Sequence, residues 1–243
     1  MKKMTSTILV TASLGLASQA SAVLLASWDT FDNASTRASN GFIGTANPNV
    51  AADFTAAGIT ATLTDDPTTA NSDIIRDIRI NNGSDDGTFG SSFTGASTTV
   101  GQLRLGNTTT ASASGDIFLD VINGSGQTIG FDDVFFDFRA QTANGDTHNA
   151  YSISFETGGS SVLLGSGTVP NDNNYTDVDV DASAATLADG ETGRFVITFS
   201  GATSFSSSSF IDNVGFSGEA IPEPSSAILL GLGGLALIMR RRK

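Results

Sequence analysis

The sequence predicts an all-β protein, an antiparallel β-sandwich flanked by a signal helix at the front and a short hydrophobic helix at the end. Three observations predict it. Apolar and polar residues alternate in short runs, which is the period of a half-buried strand. Turn dipeptides separate the runs: Asn82-Gly83, Asp86-Gly87, Asn123-Gly124, Asn144-Gly145 and Asp189-Gly190. Helical periodicity is scarce in a chain rich in Gly, Ser, Thr, Asn and Asp.

The elements follow in order. Lys2 and Lys3 form a positive n-region, Ile8 to Leu16 a short apolar h-region, and Ala20-Ser21-Ala22 an A-x-A cleavage site. Residues 1–22 therefore read as a signal peptide, and the mature chain is expected to begin at Val23. Val23 to Asp29 reads as the first strand. Inward faces are then expected at Ile59, Ala61 and Leu63, at Leu103 and Leu105, and at Ile117, Leu119 and Val121. Val134, Phe136 and Phe138 form another such set, as do Tyr151, Ile153 and Phe155. Val162 to Leu164 is a brief apolar run. Val178 and Val180 alternate with Asp177, Asp179 and Asp181, and Phe195, Ile197 and Phe199 with Arg194, Val196 and Thr198. Asp73 to Ile80 fits a strand or a helical turn. Ser204 to Ser209 is a low-complexity loop before a last strand, Phe210 to Phe216. Residues 23–218 are expected to form one β-sandwich domain, and 219–243 a separate tail.

The body is strongly acidic. From Val23 to Ala220 there are 24 acidic residues against six arginines and no lysine, a net of −18. That balance argues against nucleic-acid binding, which needs a basic footprint, and favours divalent cations. The chain has no cysteine. It has neither disulfides nor thiolate chemistry, and a domain of this size must be held by its core or by bound ions.

Catalytic motifs are missing. There is no G-x-S-x-G elbow, and one histidine, His148, would have to serve any triad. His148 lies in a polar stretch and is expected on a surface loop. The four glutamates are scattered: Glu156, Glu191, Glu219 and Glu223. The chain is read as a non-enzyme. Asp177, Asp179 and Asp181 mimic the start of a calcium loop, but no glycine follows and the valines between them suit a strand with an exposed acidic face. Asp85-Asp86 and Asn171 to Asn174 are similar loop candidates. Glycan stacking needs exposed aromatic rings. Trp28 sits in the first strand, where burial is expected, and Tyr175 is the ring expected to be exposed.

Alternation places Asp212 on the face of Phe210 and Val214, where a carboxylate needs a cation or several donors. The run Phe210-Ile211-Asp212-Asn213-Val214-Gly215-Phe216 resembles the last strand of jelly-roll domains of the carbohydrate-binding-module kind. That resemblance implies a jelly-roll-like sandwich and a structural calcium held by Asp212, with Asp29 or Asp32 assisting.

The tail has three parts in fixed order: Pro222-Glu223-Pro224, an uncharged apolar run from Ala227 to Met239, and the basic stop Arg240, Arg241, Arg242 and Lys243. The prolines predict an extended, accessible segment. As a helix the apolar run reaches roughly 20 Å, short of a hydrocarbon core of about 30 Å. The basic cluster marks a cytoplasmic end. The segment therefore reads as a processing signal. It resembles the PEP-CTERM sorting domain of Gram-negative, exopolysaccharide-producing bacteria. The resemblance implies an exosortase as partner, passage through the inner membrane on the C-terminal helix, cleavage near Pro222-Glu223-Pro224, and delivery to the cell surface or matrix. The expected function is structural or adhesive, within or beside exopolysaccharide. The alternatives are a carbohydrate-binding module and a polysaccharide-active hydrolase or lyase.

Overall fold

The computed structural model describes residues 22–31, 50–65, 74–79, 83–84, 86–96, 101–106, 114–141, 147–203 and 209–221. The signal helix, Ala20, Asp32 and the whole of Pro222 to Lys243 lie outside the described residues. The strands are β1 (Val23–Trp28), β2 (Val50–Ala51), β3 (Phe54–Thr55), β4 (Ile59–Asp65), β5 (Ile75–Arg79), β6 (Thr88–Phe89), β7 (Phe93–Thr94) and β8 (Gln102–Leu105). They continue with β9 (Ser114–Asn123), β10 (Thr128–Ala140), β11 (Ala150–Thr157), β12 (Ser160–Thr168), β13 (Thr176–Asp181), β14 (Thr186–Leu187), β15 (Thr192–Ser200) and β16 (Ser209–Ile221). The open stretch Asp73 to Ile80 is thus resolved in favour of a strand.

Every described pairing is antiparallel. One sheet has eight strands, in the order β13-β10-β16-β1-β3, with β14 beside β10, β8 beside β16 and β5 beside β8. The other has six, in the order β12-β11-β15-β9-β4-β2. β6 and β7 form a hairpin of their own. The protein is an all-β, antiparallel β-sandwich.

The inner faces are those the alternation predicts. Ile117, Leu119 and Val121 of β9, Ile153 and Phe155 of β11, and Phe195, Ile197 and Phe199 of β15 are buried in one core with Val178 and Val180 of β13. Phe131 joins the two sheets: its ring lies 5.2 Å from Phe155, 4.9 Å from Phe195 and 5.7 Å from Phe216. Trp28 is fully buried, as expected, and its Nε1 donates to the Val50 carbonyl at 2.9 Å.

Local chemistry fixes the connections. β11 turns into β12 through Gly158 and Gly159 at φ +56° and +79°, the paired left-handed residues that a two-residue hairpin needs. β9 and β10 lie in different sheets, so the turn between them is a corner. Buried Asn123 holds it, donating from Nδ2 to the carbonyls of Gln127 (2.8 Å) and Leu187 (2.9 Å).

Two irregularities between β10 and β16 shift the strand phase near the site. In β10, Phe131 and Val134 both face the inter-sheet core because the register with β16 slips between them. In β16, Asn213 takes φ +46°, and Ile211 and Val214 both face the core. These are bulges, which insert a residue and re-aim the side chains beside it. The second bulge separates Asp212 from Val214, contrary to simple alternation. Asp212 instead lies on the outer face of the eight-stranded sheet.

Candidate functional site

The outer face of the eight-stranded sheet is covered. Residues 86–96, built around β6 and β7, lie over it, and Phe89 and Phe93 pack on Phe135 with ring centroids 6.3 and 5.8 Å apart. This explains why Val134, Phe135 and Phe136 are consecutive apolar residues: a strand buried on both faces loses its alternation.

The next residue on that outer face is Asp137. The register places it opposite Asp177 of β13 on one side and Asp212 of β16 on the other. Three aspartates therefore form a row across three adjacent strands. Like charges directly opposite one another are destabilising. Asp86, from the covering segment, closes on the same place. Carboxylate oxygens of Asp86, Asp137 and Asp177 all lie within 4.8 Å of one another. Asp86 and Asp177 are exposed, whereas Asp137 and Asp212 are fully buried.

The two buried carboxylates differ in their partners. Asp212 is satisfied at both oxygens: Oδ2 accepts the Ser84 backbone N–H at 2.7 Å and Oδ1 that of Asn213 at 2.9 Å. Asp137 Oδ2 accepts from Asn213 Nδ2 at 2.8 Å. Asp137 Oδ1 and Asn213 Oδ1 are buried with no hydrogen-bond partner. Burial pushes the Asp137 carboxyl up to about 7, with the charges of Asp86 and Asp177 adding to the rise and the Ser84 and Asn213 side chains opposing it. Burial pushes Asp212 up to about 8, reinforced by Asp137 and Asp29 and opposed by the amides of Ser84 and Asn213.

The residues singled out from the sequence fall as follows. Asp29 follows the last residue of β1, Trp28, which pairs with Val214, and its charge is felt at Asp212. Asp32, Pro222, Glu223, Pro224 and the basic residues 240–243 lie outside the described residues, and Ala22 is exposed. Asp177 belongs to the row. Asp179 accepts the Ser91 N–H at 3.1 Å, and Asp181 that of Ser183 at 2.8 Å. Asp137 was missed. Its signal was a lone charge inside the apolar run Val134 to Phe138.

Two expectations are corrected. His148 is buried, because β16 begins against it and Ser209 Oγ donates to its carbonyl at 2.6 Å. Tyr175 is half-buried rather than displayed. Its hydroxyl donates to Gln102 Oε1, the Arg139 guanidinium lies 4.8 Å from its ring centroid, and burial drives its pKa up.

A second concavity lies on the six-stranded sheet, lined by Asp120, Glu156, Ser160, Thr192 and Arg194 among others, with a volume of about 400 Å³. Its arginine is paired. Arg194 meets Asp120 in a two-pronged contact at 2.6 and 3.1 Å and stacks 4.3 Å over Phe118.

Fold and site together define an acidic β-sandwich carrying a buried carboxylate row. The tail then adds the address: residues 220–243 match the family model of the PEP-CTERM protein-sorting motif. That motif implies export and transient membrane residence on the way to the cell surface. No curated protein matches the sequence. Among solved structures, the chain is similar to a Stig cyclase from Fischerella sp. TAU, at 12% identity and a TM-score of 0.39, over 82% of this chain and 100% of that one. It is also similar to carbohydrate-binding modules of the β-sandwich superfamily (10% identity, TM-score 0.33, 78% of this chain and 61% of that one). A third likeness is to a carbohydrate-binding module specific for non-crystalline cellulose (17% identity, TM-score 0.28, 56% and 89%). At these scores none bears on the architecture, which the strand pairings establish.

Proposed function

We propose that this protein is an exosortase substrate whose β-sandwich is delivered to the surface of a Gram-negative-type bacterium. There it serves a structural or adhesive role within or beside exopolysaccharide. The observation that carries the reading is the sorting motif at residues 220–243. It overlaps the last two residues of β16: Ile221 is the last strand residue and Pro222 the first of the triplet.

On this reading the body is non-catalytic. A glycosidase needs two carboxyl groups that flank a substrate bond. Asp137 and Asp212 are both fully buried, so no sugar ring reaches between them. A stacking platform for glycans is not favoured either, since among the described residues Phe54 is the exposed aromatic ring. The acidic, lysine-free surface suits solubility and cation-rich polymer surroundings.

Replacing Pro222-Glu223-Pro224 with three alanines tests the sorting reading. The expected result is accumulation of uncleaved protein in the inner-membrane fraction and loss of the surface-exposed form. Normal surface release of that variant overturns it.

A further inference from the structure

We propose that Asp86, Asp137 and Asp177, with the carboxamide oxygen of Asn213, form a calcium site that fastens the 86–96 segment to the outer face of the eight-stranded sheet. This donor set differs from the one implied by resemblance, Asp212 with Asp29 and Asp32. It also stands apart from the sorting reading.

Four observations converge on it. The three carboxylates come from different parts of the chain and bring oxygens within 4.8 Å of one another. Ligands on opposite sides of a calcium ion, each at about 2.4 Å, are separated by about that distance. Asp137 is fully buried, and its Oδ1 has no hydrogen-bond partner. Asn213 is equally buried with an unpartnered Oδ1, and its Nδ2 already bonds Asp137 Oδ2. That amide oxygen belongs to the same carboxamide that bonds Asp137. Buried polar atoms are ordinarily satisfied, so an orphan oxygen on one of the three acids and another on the adjacent Asn213 point to a cation as the absent partner.

The donor chemistry selects the ion. All four groups offer oxygen, which suits a hard cation. Magnesium keeps most of its water and takes one or two carboxylates, whereas calcium accepts several carboxylates and a carbonyl in irregular geometry. Asp212 is not in this set: the carboxylate oxygens that converge are those of Asp86, Asp137 and Asp177, while its own two oxygens accept the Ser84 and Asn213 amides.

The site also has a mechanical purpose. β6 and β7 have two residues each, too few for an independently stable hairpin. The hairpin is held by Phe89 and Phe93 on Phe135 and by the Ser91 amide on Asp179. Just before it, the Ser84 amide donates to Asp212. A divalent ion between Asp86 and the β10–β13 row adds an anchor at the hairpin's leading end and relieves the repulsion across the row.

The test uses the full chain purified in detergent and stripped of metal with a chelator. Calcium titration by calorimetry, thermal melts, and proteolysis of the 86–96 segment are compared for the wild type, D86N and D177N. Both variants alter exposed carboxylates, so folding in chelator is expected to be preserved. The wild type is expected to bind calcium, gain roughly 5–10 °C in Tm at saturating ion, and resist cleavage in the segment. Each variant is expected to melt like the wild type in chelator and lose most of the calcium gain. Three results overturn the proposal: no calcium heat and no Tm gain in the wild type; a full gain retained in both variants; or an equal gain from magnesium alone.

Discussion

Replacing Phe131 with alanine is expected to lower the unfolding free energy by about 3–5 kcal/mol, and Tm by roughly 10 °C for a chain of this length. Phe131 touches rings of both sheets, Phe155 and Phe195 on one and Phe216 on the other. Its side chain is 2% exposed, so truncation opens a cavity between layers that cannot slide together without breaking register. With no disulfide to hold the layers, the loss falls on the core itself. Denaturant unfolding measures it. Leu163 on the edge strand β12 is 68% exposed, so Leu163→Ala serves as the control, with an expected change within about 0.5 kcal/mol. A Phe131→Ala loss no larger than the control contradicts the packing described.

Stability of the metal-stripped protein is expected to fall as pH rises from about 4 to about 8. Asp137 at about 7 and Asp212 at about 8 both lie above their ordinary value of 3.8. The folded state therefore binds more protons than the unfolded chain across that window, and stability decreases with pH there. Their contribution is full below about pH 4 and is lost as the pH passes 7 and 8. Burial also raises Asp133 and Asp177, which act in the same direction. The charges facing the pair are Asp86 and Asp177 around Asp137, and Asp29 and Asp137 around Asp212. At the proposed site calcium would take the place of protons, so saturating calcium is expected to flatten the slope. Asp137→Asn, which removes one titrating group and keeps its shape, is expected to flatten it in chelator. Melts at pH 5, 6, 7 and 8 read the effect. A Tm in chelator that rises across this range contradicts the buried, proton-holding pair.

Most of the sandwich was legible in the sequence because its strands are half-buried. Ile59-Ala61-Leu63, Ile117-Leu119-Val121 and Phe195-Ile197-Phe199 alternate, and each became the inward face of β4, β9 or β15. Alternation failed where a strand changes phase. The slip between Phe131 and Val134 and the left-handed Asn213 depend on fitting β10 to β16, which no local pattern records. The acidic row was hidden for a related reason. Asp137, Asp177 and Asp212 are far apart in sequence and meet only through the registers of β10 with β13 and β16. Asp177 read as an exposed strand face, and it is exposed; its neighbours across the sheet give it a different meaning. Asp137 carried a usable hint, since four apolar residues around it announce a strand covered on both faces. His148 and Tyr175 were misplaced because polar neighbours suggested surface, while packing against β16 and Gln102 decided otherwise.

The address was readable without any fold, because Pro222-Glu223-Pro224, the apolar run and the basic end act as a linear signal. What the tail does is decided most directly by the intact mass of the surface form. Sorting by exosortase predicts a mature chain that starts at Val23 and ends near Pro222 to Pro224, without the segment Ala227 to Lys243. A surface form that still ends at Lys243 contradicts it.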